Sequence, residues 1–148
     1  MPALFKHVLV ATDGSVLADK AIQLALHVAG DAPVTALLVV ADYGVAEFAR
    51  ATFGSGPGID GIRPRMVAAG ERRLAEVVER VGGQARRMAQ RVMVSDQIYR
   101  AILDTAEHEA CDLVVVASHG HGGFTPAVLG SQTLKVISLA RQPVLVAR

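Results

Sequence analysis

The sequence predicts an α/β fold: an open parallel sheet of five strands with helices on both faces. Two observations carry that prediction. Short Val/Leu runs are apolar at every position, and between them lie longer segments whose apolar residues return at three- and four-residue steps. Strands that alternate with helices along one chain are joined by right-handed crossovers and form a parallel sheet. At 148 residues, 51% of them hydrophobic, the chain has the length of one domain and can bury roughly 70% of its unfolded surface without disulfides or metal.

The elements follow in order. Lys6 to Ala11 is the first strand, closed by Thr12-Asp13-Gly14-Ser15. Ser15 is placed to cap a helix striped by Ala18, Ala21, Ile22, Ala25 and Ala29, and Gly30-Asp31 ends it. Val34 to Val40 is the second strand. From about Tyr43 to Arg65 the glycines and prolines predict a flexible loop, either a cover over a pocket or an unordered connection. Met66 to Val81 resumes helical spacing and stops at Gly82-Gly83. Arg87 to Val94 is a strand polar enough to lie at an edge. Ile98, Ala101, Ile102, Thr105 and Ala106 stripe the next helix, Leu113 to Ala117 is the fourth strand, Gln132 to Ala140 a helix, and Pro143 to Val146 the last strand.

The fourth strand runs into Ser118-His119-Gly120-His121-Gly122-Gly123, and nine residues separate Gly120 from Gly130-Ser131 at the head of a helix. Glycines let a ligand approach the backbone closely. A Gly-Ser pair opening a helix presents free N–H groups and the positive end of the helix dipole, so the pattern describes an anion site.

These residues resemble the closing motif of the universal stress protein family: Gly-x-x-Gly, nine residues, Gly-Ser or Gly-Thr, a helix and a Pro-Val-Leu-Val strand. His7 to Ser15 is similar to that family's first strand and Thr-Asp-x-Ser turn, and Ala36 to Val40 to its second strand. The likeness covers the chain as a single domain, residues 1–148, apart from about 43–65. It implies a Rossmann-like sheet of the adenine-nucleotide alpha-hydrolase type with strand order 3-2-1-4-5. It also implies a site for ATP, with magnesium as a possible companion, lined by Ala11, Thr12, Asp13, Val40, Ala117, His119, Gly120, Gly130, Ser131 and Gln132. Within that site Val40 marks the adenine, Asp13 the ribose and metal-phosphate region, and Gly120, Gly130, Ser131 and Gln132 the phosphates. Ala117 stands where the family has its first motif glycine, and its methyl either narrows the pocket or forces an unfavourable backbone angle. A homodimer through the strand Pro143 to Ala147 is implied as well.

Other patterns carry less. Gly56-Pro57-Gly58-Ile59-Asp60-Gly61 spells a dinucleotide fingerprint but neither follows a strand nor opens a helix. His119 and His121 fall short of a zinc ligand set. Eight arginines between Arg63 and Arg91 lack interleaved aromatics, and with a net charge of +1 they read as a solvated face, not a nucleic-acid surface. Cys111, the one cysteine, reads as a core residue; its isolation agrees with a cytoplasmic protein, and no apolar run nears the roughly 18 residues that span a bilayer. No nucleophile-base pair appears, so the expectation is a nucleotide-binding stress regulator and not an enzyme. The alternatives are a family member that works by protein contacts without nucleotide, and an adenine-nucleotide hydrolase or transferase.

Overall fold

Val8–Thr12 (β1), Val34–Ala41 (β2), Ala89–Ser95 (β3), Leu113–Ala117 (β4) and Val144–Ala147 (β5) form one sheet in the order β3-β2-β1-β4-β5, every pairing parallel. The computed structural model describes residues 2–118 and 129–148. Successive side chains on a strand point to opposite faces, so strands apolar throughout need cover on both. One face carries Val8, Val10, Ala36, Leu38 and Val115, packed under the helices Asp19–Ala29 (α1) and Ile62–Val81 (α4) through Ala21, Ile22, Ala25, Leu74 and Val77. The other carries Leu9, Leu37, Val114 and Val116 under Ile98–His108 (α5) and Ser131–Leu139 (α6), through Ile102, Ala106 and Val136. The strand order matches the one the family resemblance implied.

Two local outcomes differ from the sequence expectation. Ser15 does not cap α1. Its Oγ accepts the N–H of Ala18 at 3.2 Å within a preceding turn, and the helix starts only at Asp19. The segment expected as a loop is largely helical, with Val45–Phe53 (α2), Pro57–Asp60 (α3) and an α4 that begins at Ile62. Asp42 makes that possible, because its buried carboxylate accepts the N–H of Ala46 in the first turn of α2 and pairs with Arg63 of α4 at 3.3 Å. In β5, Leu145 leans on the α1 side, while Val144 and Val146 lean on the α5 and α6 side, all half-buried.

Close packing fixes α4 over the ends of β2 and β3. A methyl added at Gly70 would sit 2.6 Å from Val92 Cγ1 and 2.9 Å from Val40 Cγ2, so only a glycine lets the helix lie this near the sheet. No helix among the described residues is long and apolar enough to cross a membrane.

Candidate functional site

Ligands of open α/β sheets bind beyond the carboxyl ends of the strands, where the chain order reverses. Here that point lies between β1 and β4. Their pairing ends at Val10 with Val115, although β1 continues to Thr12 and β4 to Ala117, so the two strands part and leave a crevice between their ends. On the other flank β1 pairs with β2 only as far as Thr12 with Leu38, while β2 stays paired with β3 through Ala41. Val39, Val40 and Ala41 therefore overhang β1.

Backbone direction alternates along a parallel strand, and two bonds set the parity here. Val8 N–H donates to Pro33 C=O, and Asp42 N–H donates to Ser95 C=O. Odd residues of β2 thus turn toward β1 and even ones toward β3. Val40 gives its backbone to β3 and its side chain to the α4 interface. The backbone groups that face the crevice past β1 belong to Val39 and Ala41.

The turn after β1 is built by its own side chains. Thr12 Oγ1 accepts the Gly14 N–H at 3.1 Å and Asp13 Oδ1 accepts the Ser15 N–H at 2.9 Å, with Gly14 at φ +84°. Asp13 therefore does the turn-closing work open to any Asp in this position, just past the end of β1 where the crevice opens. α4 braces the turn from outside. Arg80 holds Asp19 through two bonds of 2.6 and 2.8 Å and donates to Gly14 C=O at 3.2 Å, while the Arg73 side chain lies against Gly14. The bond to Asp19 raises the Arg80 pKa above its ordinary value.

Across the crevice, α6 is fastened to the end of β4. Gly130 N–H donates to Ser118 C=O at 2.8 Å and Thr133 Oγ1 donates to Ala117 C=O at 2.8 Å. Gly130 is the N-cap and the first intrahelical bond runs from Leu134 N–H to Gly130 C=O. The first-turn N–H groups of Ser131, Gln132 and Thr133 thus have no acceptor inside the helix, and the dipole's positive end lies with them. Gln132 also reaches α5, where its Oε1 accepts the Tyr99 N–H at 3.0 Å in the first turn, while its backbone N–H belongs to the α6 terminus.

Ala117 is not among the non-glycine residues of positive φ, so the unfavourable angle considered for it is absent. Its half-buried methyl packs with the core on the α1 side. Ala11, Thr12, Asp13, Ala117, Gly130, Ser131 and Gln132 thus gather around the strand ends, with Val40 at the edge. His119 and Gly120 lie outside the described residues. Sequence reasoning missed Ser118 and Thr133 as tethers of α6, and Arg73 and Arg80 as braces. For Thr133 a signal existed, since a hydroxyl in the first turn commonly bonds nearby backbone. For the arginines none did, because a long-range ion pair leaves no local pattern. Cys111 is buried as expected; burial, then the charges of Glu109 and Asp112, push its thiol up to about 11.

The family model described as the universal stress protein family matches residues 4–148. A universal stress protein of Mycobacterium tuberculosis is 35% identical over 147 residues, covering 95% of this chain and 44% of that protein, so the chain spans less than half of the relative's length. Among solved structures, universal stress protein UspA from Lactobacillus plantarum aligns with a TM-score of 0.71 at 24% identity, over 97% of each chain. A universal stress protein in complex with cAMP aligns at TM-score 0.59 and 18% identity, over 97% of each chain. One from Archaeoglobus fulgidus in complex with dAMP aligns at 0.57 and 15%, over 98% of this chain and 99% of that one.

Proposed function

The chain belongs to the universal stress protein family, and from that membership we propose that it is an adenine-nucleotide-binding regulator, a homodimer that takes ATP with magnesium and acts by binding rather than turnover. A cytoplasmic role in stress response belongs to the same proposal. The observation that carries it is the parting of β1 from β4 beside the N-terminus of α6. A nucleotide needs an apolar slot with backbone donors and acceptors at one end and an anion site at the other. The overhang at Val39 to Ala41 supplies the first and the N–H groups of Ser131 to Thr133 the second, with Asp13 between them near a ribose and its metal. The cAMP and dAMP complexes of structural neighbours support the adenine class. A homodimer is supported by β5, an apolar edge strand that among the described residues pairs with β4 alone.

Calorimetric titration with ATP and magnesium, joined to mass spectrometry of small molecules released from the purified protein, tests the proposal. Micromolar binding is expected, and Gly130→Leu should weaken it at least tenfold by filling the space before α6. Absence of both binding heat and released nucleotide would overturn the function. Undiminished affinity in Gly130→Leu would overturn the site.

A further inference from the structure

At the opposite end of the sheet from the crevice, where β1 and β4 begin, His7, Glu109 and Cys111 come together. One ligand-capable atom from each lies within 4.8 Å of the others, and the group is half-buried to buried. The backbone around it is tightly held. Asp112 accepts the N–H groups of Lys6 and His7 through its carboxylate at 2.9–3.0 Å, and Cys111 N–H donates to Ala106 C=O at 2.8 Å. Ala110, at φ +53°, takes the left-handed conformation that ends α5 and folds Cys111 back beside Glu109.

We propose that His7, Glu109 and Cys111 bind a divalent transition-metal cation of the zinc class, leaving one coordination position for a further ligand. Imidazole, thiolate and carboxylate are the donors zinc takes, and a tetrahedral ion spaces its ligand atoms roughly 3.3–3.7 Å apart, so the three side chains must draw together on binding by up to about 1–1.5 Å. A second observation points the same way. Glu109 Oε1 is held by Arg91 Nε at 2.8 Å, but Oε2 is buried without a hydrogen-bond partner. A buried carboxylate oxygen left unpaired is unfavourable, and a cation in the cluster would satisfy it. The His7 ring is held at both nitrogens. One ring nitrogen sits 3.0 Å from Glu109 C=O and the other 2.8 Å from Thr35 Oγ1, a hydroxyl able to donate or accept. The Glu109 carbonyl can only accept, so without metal Nδ1–H donates to it and Nε2 accepts from Thr35; binding needs the other tautomer, with Nε2–H given to Thr35 and Nδ1 turned from the carbonyl to the ion. Binding releases the thiol proton of Cys111 to solvent as the sulfur–metal bond forms.

Because the chain has one cysteine, cobalt gives an unambiguous test. The full chain, treated with chelator and titrated with Co²⁺, should develop thiolate-to-cobalt charge-transfer absorption and tetrahedral visible bands at one equivalent, both displaced by Zn²⁺. Cys111→Ala should abolish the charge-transfer band, and Glu109→Gln and His7→Gln should each weaken binding by about tenfold or more. Circular dichroism of each variant checks that it is folded. Absence of the band in excess Co²⁺ would overturn the proposal. So would unchanged cobalt affinity in both folded Glu109→Gln and His7→Gln.

Discussion

Ala117 illustrates how much a single backbone angle decides. A methyl in a conformation that favours glycine stores strain, and its removal would help any ligand nearby; Ala117 is in an ordinary strand conformation instead. Ala117→Gly is therefore expected to lose about 0.5–1 kcal/mol of stability, the usual effect of glycine within a strand, as read from urea unfolding. A gain in stability would show strain that the backbone angles do not. Gly70 is the opposite case. There a side chain has no room, because Val92 and Val40 stand 2.6 and 2.9 Å from the place a methyl would take. Gly70→Ala should lower stability by about 1–3 kcal/mol through overpacking, despite alanine's better helix propensity. Equal or higher stability in the variant would mean that α4 can shift off the sheet freely.

Among the elements, β5 invites the sharpest test. Val114 N–H donates to Pro143 C=O and Ser118 N–H to Ala147 C=O, so alternate residues 143, 145 and 147 turn their backbone toward β4. Val144 and Val146 therefore direct theirs outward, in an edge strand with no charged residue of its own. Val146→Pro removes an outward N–H while sparing the ladder to β4, a substitution edge strands tolerate. Sedimentation velocity should show wild-type dimers and monomeric Val146→Pro; a dimeric variant would move the interface elsewhere. The strands and the helices α1, α4, α5 and α6 were legible in the sequence because burial imposes periodicity on Val, Leu, Ile and Ala. Strand order came from the family resemblance, since side-chain pattern does not encode which strands neighbour one another. What composition hid was α2 and α3. Gly54, Gly56, Gly58 and Pro57 read as breakers, yet Gly54 ends α2 and Pro57 opens α3, where a missing N–H costs nothing. Pro64 likewise falls in the first turn of α4. The cap that starts α2 comes from Asp42, and the start of α1 shifted because Ser15 closed a turn instead. In the candidate site, Gly130-Ser131 was readable as a helix head. The owners of the β2 backbone groups that face the crevice, Val39 and Ala41, were not, because they follow from sheet register alone.

At the scale of the molecule, the two ends of the sheet have different chemistry. The carboxyl end holds the parted strands, backbone donors and a helix terminus suited to a nucleotide. The amino end holds His7, Glu109 and Cys111. The two edges differ too, β3 carrying exposed Gln90 and Arg91 and β5 half-buried aliphatic residues. One measurement bears most directly on the central claim, that a nucleotide lies between the overhang of β2 and the head of α6: amide shift mapping of the nitrogen-15-labelled protein during titration with ATP and magnesium. The largest shifts are expected at Ala41, Asp13, Ser131, Gln132 and Thr133, with little change at the starts of β1 and β4. Shifts confined to other surfaces, or none at saturating ATP, would contradict it.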